Sequence, residues 1–130
     1  MNPVQSENLA RHLAELADSK KAEDIVALDM RGLVAYTDFL VVCTARNERQ
    51  ARGIVDEVRV RVKKESGLLP GGVDGGGEAG WTIIDYLDVV LHVFTPEARD
   101  RYQLEDLWHE APRLEVTFDA PEAPSAAAGA

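Results

Sequence analysis

Apolar residues along this chain follow two spacings, one helical and one that of strands. Leu9, Leu13 and Leu16 recur at the intervals of a single helical face, with Ser6 placed to cap that helix and Asp18-Ser19-Lys20-Lys21 to end it. Glu23–Asp29 reads as a strand, and Met30–Tyr36, with Gly32, as a loop. Thr37-Asp38 then leads into Phe39–Thr44, a nearly continuous apolar run of the kind found in strands covered on both faces; it is the expected central strand. Asn47 can cap a second helix, with Gln50 in the capping-box position and Gly67 as the stop. Ala51, Ile54, Val55, Val58 and Val62 share one face of that helix, and Arg49, Arg52, Arg59 and Lys63 lie largely on the others. Its β-branched residues are weak helix formers, so packing against a sheet must hold it.

Period-two alternation returns at Trp81. A strand over Trp81–Tyr86, a tight connection through Leu87-Asp88 and a strand over Val89–Phe94 form a hairpin. Trp81, Ile83 and Asp85 fall on one face of its first strand, with Thr82, Ile84 and Tyr86 on the other. On the second strand Val89, Leu91 and Val93 oppose Val90, His92 and Phe94. A one-turn helix is expected from Thr95-Pro96, and Tyr102, Leu104, Leu107 and Trp108 have the spacing to lock the following segment onto the sheet. Arg113–Phe118 alternates as an edge strand.

The stretch 68–80 holds six of the ten glycines and reads as an exposed, mobile connection. It follows a helix and precedes a strand, the reverse of the order in a dinucleotide-binding glycine turn, so it is not read as a phosphate cradle. The helix between them implies a parallel crossover joining the Phe39 and Trp81 strands. These elements predict an α/β fold, a mixed sheet of about five strands with helices mainly on one face. One domain is expected over residues 1–118, followed by a Pro/Ala-rich, disordered tail over 119–130.

Charge changes the picture. Lysine and arginine number 14 against 23 acidic residues, a net charge of −9, which makes the chain a poor candidate for gripping a phosphate backbone and a better one for binding a basic protein. No run approaches a membrane span or a signal peptide, and the single Cys43 lacks a disulfide partner, so a reducing cytosol is the expected compartment. Asp85 and Asp88, three apart, could flank a metal, but turn aspartates are common in structural roles. His92 reads as a hydrogen-bonded strand histidine, and His12 and His109 are too far along the chain to suggest zinc. No cofactor is expected. Trp81 and Tyr86 are residue types enriched at interface anchors, and nearby carboxylates fit a basic partner; alternatively, Trp81 packs against the Ile54 helix.

The run G-W-x-x-x-D-Y-x-D-V-V-x-H-x-F from Gly80, followed by A-R-x-x-Y-x-L-E-x-L-W, closely resembles the ribosomal silencing factor (Iojap-related) family. The resemblance continues upstream in Lys20–Val26, Leu28-Asp29, Thr37-Asp38-Phe39 and Asn47-x-Arg49-Gln50. It implies a translation repressor that binds the large ribosomal subunit through ribosomal protein fourteen and blocks joining of the small subunit when nutrients are scarce. It also implies a homodimer; direct sequence-specific nucleic acid binding is not expected of so acidic a chain. Partner contact falls by this resemblance on Trp81, Asp85, Tyr86, Asp88 and His92, with Asp38 and Phe94 beside them. Lys20 and Lys21 read as a solvated helix end, or as a contact to ribosomal RNA. Two positions depart from the family pattern: Ala45-Arg46-Asn47 replaces a Gly-Asn-Ser-like turn, and Leu87 stands where glycine is common. The topology is also similar to a small nucleotidyltransferase, but the Gly-Ser pair and Asp-x-Asp that serve such enzymes are missing. A metal-dependent enzyme of that type and a dimeric adaptor unrelated to ribosomes are the alternatives.

Overall fold

The computed structural model describes residues 2–75 and 80–116. Part of the glycine run (76–79), the end of the expected 113–118 strand and the 119–130 tail lie outside them. Helix α1 (Pro3–Ser19) leads to strands β1 (Glu23–Asp29) and β2 (Phe39–Thr44), then α2 (Glu48–Ser66). Strands β3 (Gly72–Gly75), β4 (Trp81–Asp85) and β5 (Val89–Phe94) follow, then short helices α3 (Pro96–Tyr102) and α4 (Leu104–Leu107) and strand β6 (Arg113–Leu114).

Helix α1 starts one turn earlier than its expected cap. The Asn2 side chain accepts from the Gln5 amide and the Gln5 side chain from the Asn2 amide, both at 2.9 Å, which closes a capping box ahead of Pro3. Ser6 is instead buried inside the helix, where its hydroxyl donates to the Asp38 carboxylate at 2.8 Å. Helix α2 is capped as expected by Asn47, which accepts from the Gln50 amide at 2.8 Å, and it ends at Gly67 with φ at +73°. Its buried residues are the five that its periodicity marked.

The sheet has six strands in the order β3-β4-β5-β2-β1-β6, one more than expected. The added strand is β3, from the stretch expected to be a loose connection; its four exposed residues carry no alternating apolar signal. Gly75, at φ +96°, lies so close to β4 that a Cβ there would sit 2.0 Å from the Trp81 carbonyl oxygen. The parallel partner of β2 is β5, not the Trp81 strand, which runs antiparallel beside β5. After α2 the chain re-enters at the far edge and makes two hairpins before reaching β2, so the crossover closes two strands later than expected.

The two long helices, α1 and α2, lie on one face of the sheet, and only the short α3 and α4 lie on the other. Helices α1 and α2 bury Phe39, Val41, Cys43, Ile84, Val89, Leu91 and Val93. On the opposite face Leu104 and Trp108 pack over Leu28, Met30, Leu40 and Val90, while Ala98 meets Val42 and Phe94. Leu107 does not take part in this locking and is 68% exposed.

Candidate functional site

One end of the sheet gathers the connections that enter β2 and β5 and leave β4. The Asp38 and Phe39 amides both donate to the Asp88 carbonyl, at 2.8 and 3.1 Å, which ties the two loops together. The Asp85 carboxylate accepts from the Leu87 amide at 2.7 Å, and the Asp88 amide donates to the Tyr86 carbonyl at 2.9 Å. This turn holds Leu87 in the left-handed region, at φ +73°, with its side chain 66% exposed. The shape of the connection is therefore the one glycine favours, with a leucine in it. In the loop that leads to Asp38, Tyr36 is 64% exposed. Asp85 and Asp88 thus flank Leu87 in the turn, and Asp38 follows Tyr36 in the loop bound to it. Arg31, the nearby cation, is taken up by Asp29 through bonds of 2.9 and 2.7 Å and lies over the Phe39 ring. That pairing holds the Asp29 carboxyl below its ordinary value.

A second cluster lies on the α3–α4 face. The Trp81 indole N–H donates to His92 Nδ1 at 3.0 Å, and the Trp81 ring lies 5.0 Å from Phe94 and 4.6 Å from Tyr102 between centroids. Burial pushes the His92 imidazole down to about 4, with Asp85 pulling weakly the other way, so it is neutral near pH 7 and free to accept at Nδ1. Phe94 and His92 are buried, Trp81 is half-buried and Tyr102 caps the cluster from outside. Trp81 does not pack against the Ile54 helix, which lies on the other face.

Tyr86 is separated from these residues. Only 5% exposed, it sits in the core beneath α1 and α2, and its hydroxyl has no hydrogen-bond partner among the described residues. Burial raises its phenol, and nearby Arg59 opposes that. The expected contact residues therefore divide three ways: Asp38, Asp85 and Asp88 at the sheet end, Trp81, His92 and Phe94 on one face, and Tyr86 on the other. Tyr36 and Leu87 join the first group. Tyr36 carried no periodic signal, and Leu87 was visible only as a departure from the family.

Among the described residues no group of three or more His, Cys, Asp or Glu side chains could hold a metal ion. Cys43 is fully buried, and burial pushes its thiol up to about 12, which rules out a thiolate nucleophile near neutral pH. No helix among the described residues is long and apolar enough to cross a membrane.

Residues 3–130 match the family described as "Ribosomal silencing factor during starvation". A ribosomal silencing factor of Halalkalibacterium halodurans is 36% identical over 113 residues, covering 87% of this chain and 96% of the relative. That of Bacillus subtilis is 34% identical over 115 residues, covering 88% and 97%. The chloroplastic protein Iojap of Zea mays is 34% identical and is covered over 48% of its own length. A crystal structure of a Chromobacterium violaceum protein superposes with a TM-score of 0.73 at 30% identity, covering 99% of this chain and 95% of that one. Another, from Bacillus halodurans, gives 0.68 at 39% identity, covering 81% and 95%. Motifs, fold and relatives agree, and the chain belongs to the ribosomal silencing factor family.

Proposed function

We propose that this protein represses translation in the cytoplasm by occupying the large ribosomal subunit, seated on ribosomal protein fourteen, so that the small subunit cannot join. The reading fits a response to nutrient limitation, as the family's description suggests. The work is done by occupancy, and no bond is made or broken. The observation that carries the reading, beyond family membership, is the sheet end where exposed Leu87 is set between Asp85 and Asp88, in a turn tied through the Asp88 carbonyl to the loop that carries Asp38 and exposed Tyr36. Exposed apolar groups within carboxylates suit a basic, partly apolar protein surface, with charge setting orientation and on-rate. Trp81 and Phe94 pair at the end of the hairpin away from that turn, with His92 between, and Trp81 reaches the surface as a further contact. Tyr86 contributes by anchoring the turn to the core, and by direct contact only if α2 moves.

A homodimer completes the proposal, with Tyr102 and Leu107 as the exposed residues of the α3–α4 face available to a second copy. We read the strand order as a nucleotidyltransferase-like scaffold without that enzyme's working parts. Ala45-Arg46-Asn47 opens α2, and Asp85-x-x-Asp88 spans a turn in place of an Asp-x-Asp on a strand.

Co-sedimentation with separated subunits tests the reading. The wild-type chain should pellet with large and not small subunits. Asp85→Asn combined with Asp88→Asn, which removes charge and keeps the oxygen that takes the Leu87 amide, should bind at least about ten-fold more weakly. Absence of pelleting with either subunit would end the silencing reading, and unchanged affinity of the variant would move the surface elsewhere.

A further inference from the structure

The other end of the sheet carries the opposite charge. The six residues of β2, at about 3.3 Å each, put roughly 20 Å between the two ends. At the far end Lys20 and Lys21 follow α1, Arg46 precedes α2 and Arg49 stands in its first turn. All four side chains are exposed, and Lys20, Arg46 and Arg49 line one depression together with Gln50. None of the four pairs with a carboxylate among the described residues, whereas Arg11, Arg31, Arg61 and Arg99 each do. Glu48, the acidic residue of the first turn of α2, faces Arg52 at 3.9 Å.

Gln50 builds this grouping. Its amide nitrogen donates to the Lys20 and Lys21 carbonyls, both at 3.0 Å, and its side-chain oxygen accepts from the Arg46 amide at 2.6 Å. One side chain thus ties together the segments that carry the cations, and Lys21 takes φ +69° in the process. Like charges gathered at one depression repel one another, and none of the four is neutralised by an ion pair among the described residues. Their complement is a polyanion with closely spaced charges, to which arginine adds a bidentate fork.

We propose that this basic end grips the sugar-phosphate backbone of ribosomal RNA while the acidic end holds the protein partner. The proposal rests on the large-subunit reading, since a protein seated there lies within reach of RNA. Phosphate contacts of this kind fix position and read no sequence. The two opposed charges orient the chain on a mixed protein and RNA surface.

The test measures affinity of the full chain for purified large subunits, and for a short RNA duplex of unrelated sequence, across a salt series. Comparison variants are the triple reversal Lys20→Glu, Arg46→Glu, Arg49→Glu, the triple neutral change of the same residues to Gln, and the conservative pair Arg46→Lys, Arg49→Lys. Three to four phosphate contacts give log affinity a slope of about −3 against log salt. The reversal should flatten that slope and cost ten-fold or more; the neutral triple should do the same to a lesser degree, and the lysine pair should keep most of the binding. Wild-type affinity and slope in either triple variant would overturn the proposal. So would displacement of the chain from subunits by poly-glutamate and not by free duplex, which would assign the patch to an acidic protein. If the wild type fails to bind large subunits, the silencing reading falls. The duplex then decides alone: salt-dependent binding lost in the triples supports the basic grip, and no duplex binding overturns it.

Discussion

Leu87 holds a backbone conformation that costs a residue with a Cβ roughly 1–2 kcal/mol. Glycine there would relieve this cost and give back about 0.5–1 kcal/mol in unfolded-chain entropy. Leu87→Gly should therefore raise stability by about 0.5–1 kcal/mol in urea denaturation, and a lowered midpoint would contradict it. If the leucine side chain contacts the partner, the same variant binds large subunits more weakly while folding better, as expected where strain is kept at a working surface. His92 makes a second residue-scale prediction. Its folded value of about 4 lies below the ordinary 6.5, so between those values the unfolded chain binds a proton that the folded chain refuses. Its contribution is complete above pH 6.5 and is lost progressively as pH falls toward 4, by about 3 kcal/mol in total. His92→Gln keeps an acceptor for the Trp81 indole and should flatten stability across that window. An equal drop in wild type and variant between pH 7 and 5 would rule His92 out as the cause. Asp29 and Glu105, held below their ordinary values by Arg31 and Arg99, lose their contributions only at lower pH.

At the scale of elements, the short α3 and α4 are held as much by one arginine as by apolar packing. The Arg99 side chain, 13% exposed, donates to both oxygens of Glu105 at 2.9 and 2.7 Å, to the Asp24 carbonyl at 2.6 Å and to the Thr44 hydroxyl at 2.8 Å. It joins α3 to α4, to the start of β1 and to the end of β2. Arg99→Ala leaves Glu105 unpaired and should cost about 3 kcal/mol in chemical denaturation. Arg99→Lys should rescue little of it, because an ammonium cannot reproduce the planar fork. A loss under about 0.5 kcal/mol, the range of an ordinary surface change, would show that Leu104 and Trp108 hold the segment unaided. Nothing in the local spacing around Arg99 announced this role, since its three partners come from three other elements. The elements with strong periodicity were legible: β1, β2, α2 and β5 have the bounds that their residues predicted, or nearly so. Strand β3 was not, because glycine and exposed residues leave no alternation to read.

For the molecule as a whole, β2 and β5 form a shared parallel axis that separates an acidic end from a basic one. Both ends stem from chain connections, where the sheet leaves side chains free of core packing. The acidic end repeats the sign of the net charge and the basic end opposes it, so composition alone shows one and hides the other. The contact residues expected from the family motif were right in their local faces, yet they do not form one patch. Trp81 and Tyr86 lie in one strand and its turn, and period-two geometry sends them to opposite sides of the sheet.

The sequence by itself determined the apolar face of α2, the doubly buried central strand, the hairpin around Leu87, the acidic balance and the family. Each of these is set within one segment, by periodicity, turn chemistry or a local motif. Only the tertiary structure decided that β5 is the parallel partner of β2, that Arg99 binds α3–α4 to the sheet, that Tyr86 lies in the core, and that Gln50 brings Lys20 and Lys21 beside Arg46. The reason is physical: a spacing reports which way a side chain points from its own element. What it meets there depends on contacts between residues far apart in the chain, and these are chosen by the packing of the whole sheet and its helices.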